Sequence, residues 1–328
     1  MAQVIPIERA RQPDRCQAVT AAGRTCRNRA RQNGFCGVHQ PPEPAEGIGP
    51  FSADVVREFV ELLRRRLVGD YEVDEFGFDP ELTEKMLLPL VKPLYDYYWR
   101  VDWMGMDNVP SKGAAMLVGN HAGTVPVDAL VMKFGVLDRH PAHRHVRLLA
   151  ADLAFRFPVA APLARKMGST LACDEDALRL LGKGELVGVF PEGYKGVGKG
   201  FRNRYKLQRF GRGGFVELAL KARAPIVPVA IVGSEEIYPM IHNAKTLARV
   251  GGFPYFPITP FFPWLGPLGL IPLPSKWIIE FGPPIRTDQY DEDAWQDGML
   301  VFDLTDRIRD TIQQMLYVNL MKRRGVFF

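Results

Sequence analysis

From Asn108 onward the chain alternates apolar runs of strand length with stretches of helical spacing, and this rhythm constrains the fold more than any other feature. The runs are AAMLVG (114–119), VRLLAA (146–151), ELVGVF (185–190), PIVPVAIVG (225–233) and WIIEFG (277–282). The helical patterns are VDALVMKFGV (127–136), EDALRLLGKG (175–184) and RGGFVELALKAR (212–223). Strands that continuous in apolar residues are buried on both faces, which predicts an α/β fold with a mostly parallel central sheet flanked by helices. A length of 328 residues, 47% hydrophobic, suffices to bury such a core.

What precedes the alternation differs in kind. Residues 1–40 hold seven Arg, no Lys and two acidic residues, whereas the remainder carries 35 basic and 35 acidic residues. The net charge of +5 therefore belongs to the first forty residues, and the balanced main domain is not that of a nucleic-acid binder. Residues 41–50 form a Pro-rich linker. Residues 51–100 form an amphipathic helical region: FSADVVREFVELLRRRL opens at Ser52, and PELTEKMLLPLVKPLYDYYWRVDWMG is weakened by Pro89 and Pro93. The latter ends in Tyr95, Tyr97, Tyr98, Trp99 and Trp103, rings suited to a core or to a membrane interface.

Three of the four cysteines lie in the basic segment, where Cys16, Cys26, Cys36 and His39 follow the spacing C-x9-C-x9-C-x2-H. Three thiolates and an imidazole suit tetrahedral structural zinc, and a unit this small needs a metal to fold. The segment resembles a small cysteine/histidine module, C-x-A-x-T-x-x-G-x-x-C closed by G-x-C-x-x-H, that occurs attached to diverse proteins. Odd thiols beside a histidine, and a start without a sustained apolar stretch, predict a cytoplasmic protein. Cys173 reads as a small buried side chain, and His140, His143 and His145 as part of a polar loop.

The longest uncharged run, Val250 to Ser275, contains seven prolines, which argues against a spanning helix. With Phe261, Phe262 and Trp264 near its middle, it reads either as a loop buried against the domain or as the surface for peripheral membrane contact.

The stretch GNHAGTVPVDAL (119–130) puts His121 where a strand ends and Asp128 seven positions later. Open α/β sheets bind ligands at that edge, and an imidazole oriented by a carboxylate is the equipment of a general base. Alone, the pair reads more readily as a loop histidine beside a helix-capping aspartate, because short motifs recur by chance. ELVGVFPEGYKG then supplies a second strand ending in Phe190-Pro191-Glu192-Gly193, and APIVPVAIVG a third.

In this order the elements resemble the glycerolipid acyltransferase superfamily over about residues 100–285, near its mono- and diacylglycerol acyltransferase branch. The resemblance implies that residues 101–328 form an acyltransferase domain in which His121 is the general base and Asp128 its orienting partner. Asn120, Glu192, Gly193 and Lys195 are the implied substrate-binding residues. The implied reaction moves a fatty acyl group from a thioester, acyl-CoA or acyl carrier protein, to the hydroxyl of a lipid or other alcohol, without a cofactor in the chemistry. Two departures stand out. The spacing is H-x6-D where the family has H-x4-D, and MGSTLACDED offers Cys173 and Asp174 where phosphate-acceptor members carry an arginine. The second favours a neutral or weakly polar acceptor. The first leaves open a non-catalytic membrane- or lipid-binding protein that retains the fold.

The basic run Lys195, Lys199, Arg202, Arg204, Lys206, Arg209 and Arg212 reads either as a solvated loop or as a grip for phosphate, on coenzyme A or on anionic lipid.

Overall fold

The computed structural model describes residues 57–327 except 58, 59, 63, 67, 123, 157 and 159, together with Cys26. Cys16, Cys36, His39 and Ser52 lie outside the described residues; Cys26 is buried. The chain divides into two compact units, Met1–Leu63 and Arg64–Phe328, and the sheet belongs to the second.

Each expected apolar run forms a strand: β2 (Ala115–Gly119), β3 (Val146–Ala150), β5 (Leu186–Val189), β6 (Ile226–Val232) and β9 (Ile278–Phe281). Two short edge strands escaped the sequence reading, β1 (Asp102–Met104) and β4 (Thr170–Leu171), as did a small antiparallel pair, β7 (His242–Asn243) with β8 (Pro257–Ile258). Among the described residues the main sheet is seven-stranded in the order β1-β9-β6-β2-β5-β3-β4. Every pairing in it is parallel except β6 with β9.

The pleat sends alternate residues into two cores. Met116, Val118, Val187, Val189, Ala230 and Val232 pack on one face, against α3 (Asp174–Gly182), α4 (Gly214–Lys221) and α5 (Gly298–Lys322). Ala115, Leu117, Leu186, Val227, Val229 and Ile231 pack on the other, against α2 (Val127–Arg139) and the helical stretch α1 (residues 80–98). In α5, Val301, Leu304, Ile308, Ile312 and Leu316 form one buried stripe, and Asp297 caps the helix through Met299 N and Leu300 N at 2.9 and 3.1 Å.

The two prolines widen α1 without breaking it. The stretch runs Pro80–Leu82, then a π turn Thr83–Leu87, then Leu88–Pro93, then a second π turn Leu94–Tyr98. A proline has no N–H for the i−4 carbonyl, and the register slips to i→i+5 on either side: Leu88 N donates to Thr83 O, and Trp99 N to Leu94 O at 2.7 Å. Asp79 caps the start through Leu82 N at 2.8 Å and is itself held by Arg66 at 2.7 Å. The aromatics at the far end go mostly into the core: Tyr95 and Trp99 are buried, Trp99 stacks on Trp277 at 5.1 Å, and Tyr97 stays exposed.

No helix among the described residues is long and apolar enough to cross a membrane.

Candidate functional site

β2 leaves the sheet at Gly119, where a Cβ would lie 2.9 Å from the Phe190 ring, so the strand end must be glycine to let that ring approach. Asn120, fully buried, spends its amide on the neighbouring strand: its Nδ2 donates to Ile231 O at 3.0 Å and its Oδ1 accepts from Ile231 N at 2.7 Å. It clamps β2 to β6 and has little left for a substrate.

The chain then loops through Thr124, held at a φ of 65°, and enters α2, placing Asp128 in the first turn. A carboxylate there is favoured by the helix dipole and by unpaired backbone N–H groups. Its Oδ1 accepts from Ala129 N at 2.8 Å, and its Oδ2 accepts from Ala122 N at 2.8 Å and from His121 Nδ1 at 3.0 Å. Six intervening residues thus return Asp128 to the imidazole, because the carboxylate also ties down the backbone between them.

Asp128 is wholly buried, while the His121 side chain keeps 14% exposure. With the ring proton on Nδ1, facing the carboxylate, Nε2 is bare, and no hydrogen bond engages it among the described residues. The imidazole lies 4.7 Å from the Phe190 ring, which limits its tilt.

Glu192 meets His121 through the backbone. Its Oε1 accepts from His121 N at 2.9 Å; its Oε2 accepts from Gln208 N at 2.7 Å and from Lys199 Nζ at 3.3 Å. Lys199 also ion-pairs with Glu235 at 3.1 Å, and Glu235 accepts from Tyr205 N at 2.8 Å. Two buried carboxylates therefore share one buried ammonium, and burial, opposed by Lys199, pushes Glu235 up to about 7. Gly193 is exposed at a φ of 53°, and Lys195 is exposed. The cation built into the site is Lys199, which the sequence reading left among seven basic loop residues. Gly196 abuts the loop that follows His121 closely: a Cβ there would sit 2.6 Å from His121 O.

Beside His121 an apolar groove of about 240 Å³ is lined by Thr124, Val125, Tyr238, Tyr255, Phe262 and Leu270. Two of these belong to the His121–Asp128 loop, and Tyr255 Oη donates to Thr124 O. Burial, with the nearby Asp128 charge, pushes the Tyr255 hydroxyl up to about 12. The groove's outer wall comes from the Pro-rich tract, whose Trp264, Leu268 and Ile271 are 71, 67 and 58% exposed. Cys173 is half-buried rather than buried, and His145 contacts Glu84 at 2.8 Å away from this site.

Residues 100–232 match the Acyltransferase family model, and residues 14–44 match a domain of unknown function, DUF5763. The chain is 56% identical over 276 residues to an uncharacterized protein of Mycobacterium tuberculosis, covering 84% of this chain and 77% of that protein. It is 24% identical over 142 residues to a 1-acyl-sn-glycerol-3-phosphate acyltransferase of Borreliella burgdorferi, covering 41% of this chain and 52% of that protein. Among solved structures it shares a fold with the 1-acyl-sn-glycerophosphate acyltransferase PlsC of Thermotoga maritima, at TM-score 0.50 and 16% identity, covering 82% of this chain and 90% of that one. The chain belongs to the family of its mycobacterial relative, and its residues 100–232 match the Acyltransferase family model.

Proposed function

We propose that the protein is an O-acyltransferase that moves a fatty acyl group from a thioester, acyl-CoA or acyl carrier protein, to the hydroxyl of a lipid or other alcohol. The observation that carries this reading is the 3.0 Å bond from His121 Nδ1 to a buried Asp128 at the carboxyl edge of the sheet, beside an apolar groove. His121 Nε2 takes the acceptor's proton as the oxygen attacks the thioester carbonyl; the C–S bond breaks, and the imidazolium returns the proton to the departing thiolate. Asp128 fixes the tautomer and stabilises the imidazolium. Asn120 and Glu192 are positioning residues, one holding the strand end and the other the His121 backbone. Gly193 and Lys195 border the acceptor side.

The groove suits an acyl chain, and its exposed apolar wall suits peripheral contact with a membrane from the cytoplasmic side. Between Glu236 and Glu280 there is no acidic residue, while Lys245, Arg249 and Lys276 are present, a charge balance suited to anionic lipid. The acids Asp174, Glu175 and Asp176 in the first turn of α3 favour a neutral or weakly polar acceptor over a phosphorylated one. On the chemistry of their donor set, Cys16, Cys26, Cys36 and His39 bind a structural zinc ion.

Mass spectrometry of lipids from cells expressing wild type or His121→Ala tests the reading. An ester species present only with wild type names both acyl group and acceptor; identical lipid profiles from the two reject the reaction.

A further inference from the structure

Another cavity among the described residues, about 420 Å³, opens between the Arg204–Lys206 loop and the end of α5. Its wall includes Arg204, Tyr205, Lys206, Glu236, Tyr317 and Arg323. Three cations thus face one carboxylate, and that carboxylate is already used: Glu236 accepts from Tyr205 Oη and from Arg323 Nη1 at 3.1 Å.

Arg323 is the unusual member. Its side chain is 4% exposed, its Nε donates to Gly325 O at 2.8 Å and its Nη1 to Tyr205 Oη at 3.2 Å, yet its buried Nη2 has no partner. Nη2 itself is closed off from solvent, so what Arg323 gives the cavity wall is the positive charge of its guanidinium, which favours an anion there. Lys206 is exposed beside it, and Arg204 is braced over the Phe201 ring at 4.5 Å. Guanidinium groups and an ammonium around a small cavity match the several oxygens of a phosphate group.

The cavity is connected to the candidate active site. Glu235 and Glu236 follow β6, which runs parallel to β2, so cavity and His121 open at the same edge of the sheet. Tyr205 belongs to both: its ring lies at the cavity, and its N–H bonds Glu235, which pairs with the lysine that holds Glu192.

We propose that this cavity is a phosphate-binding site and, resting on the acyl-transfer reading, that it receives the phosphate-bearing end of the thioester donor while the acyl group lies in the groove at His121. Phosphate also occurs on lipid headgroups, and the two sources are separated as follows. The full chain and an Arg204→Ala/Lys206→Ala variant are titrated calorimetrically with adenosine 3′,5′-bisphosphate, with inorganic phosphate and with phosphatidylglycerol vesicles. Both substitutions are at exposed positions, so the fold is kept, as equal thermal unfolding will verify; Arg323→Ala is avoided because it strands Glu236.

The expected result is saturable bisphosphate binding that weakens about tenfold or more in the variant and falls with salt. The variant's KM for acyl donor should rise by a similar factor, with kcat and the acceptor KM unchanged. Equal affinities of variant and wild type for bisphosphate, inorganic phosphate and vesicles alike overturn the site. Loss of vesicle binding with unchanged bisphosphate binding overturns the donor assignment in favour of a headgroup. Binding is read without turnover, so its failure is distinct from failure of the reaction: a protein that binds bisphosphate through these residues but transfers no acyl group keeps the site and loses the reaction.

Discussion

Asp128→Asn is the most informative change to the proposed machinery, because it keeps the shape of the side chain and removes only its charge and half of its acceptor capacity. The native carboxylate accepts three bonds, two at Oδ2 from Ala122 N and His121 Nδ1 and one at Oδ1 from Ala129 N. An amide has one oxygen, so in either orientation its NH2 faces a backbone N–H. The buried donor left unpaired costs about 1–3 kcal/mol of stability. If the NH2 turns to His121, it donates to Nδ1 and drives the ring proton to Nε2, the nitrogen that must be bare to accept the alcohol's proton. If it turns to Ala129, the imidazolium still loses its anion. Loss of the correct tautomer or of the charge should lower kcat about 10³–10⁴-fold, roughly 4–5.5 kcal/mol of barrier, with a small change in KM. Initial rates of ester formation from a labelled acyl thioester measure this, with thermal unfolding run alongside. A folded Asp128→Asn variant with kcat within about tenfold of wild type refutes the role given to this carboxylate.

Three further outcomes follow from the same geometry. Glu235 has a folded pKa raised by burial, so stability is unimpaired below its unfolded value of 4.5 and is lost as pH rises to about 7, a loss on the order of 3 kcal/mol. Glu235→Gln lacks this component, and denaturant unfolding of both proteins at pH 5 and pH 8 should show a difference that shifts toward the variant at pH 8. Gly196→Ala puts a methyl group against His121 O and Glu192 Cβ, at 2.6 and 2.7 Å, and should cost about 1–3 kcal/mol and lower kcat by moving the loop; unaltered kcat and unfolding temperature count against the tight fit. Trp264→Ser with Leu268→Ser removes two exposed apolar side chains and should weaken sedimentation with anionic vesicles about a hundredfold while leaving the unfolding temperature alone. Equal sedimentation rejects that surface.

The strands that bear the site were readable because burial on both faces leaves a continuous apolar run, and β2, β3, β5, β6 and β9 each carry one. β1 and β4 were not, since three and two residues at the sheet's edges are too few to show any period. The stripe of α5 has ordinary helical spacing and could have been found from Val301, Leu304, Ile308 and Ile312. The π turns of α1 follow from Pro89 and Pro93, but whether a proline breaks a helix or widens it depends on the packing of Tyr95 and Trp99, which no local pattern reveals.

The candidate site divides in the same way. His121 at a strand end was legible, whereas its distance to Asp128 depended on the path of the loop, which Ala122 N and Asp128 Oδ2 settle by bonding at 2.8 Å. Lys199 could not be told from its basic neighbours, because its partners Glu192 and Glu235 lie on different strand ends. The same limit hid Arg323, which meets Tyr205 and Glu236 only in three dimensions.

The central claim is that His121 is the base of an acyl transfer, and the rate of ester formation by purified wild type against His121→Ala, on the acceptor identified by lipid mass spectrometry, tests it most directly. Loss of at least about 10³-fold in kcat with an unchanged unfolding temperature is the predicted result. Transfer at the wild-type rate by the folded variant contradicts the account.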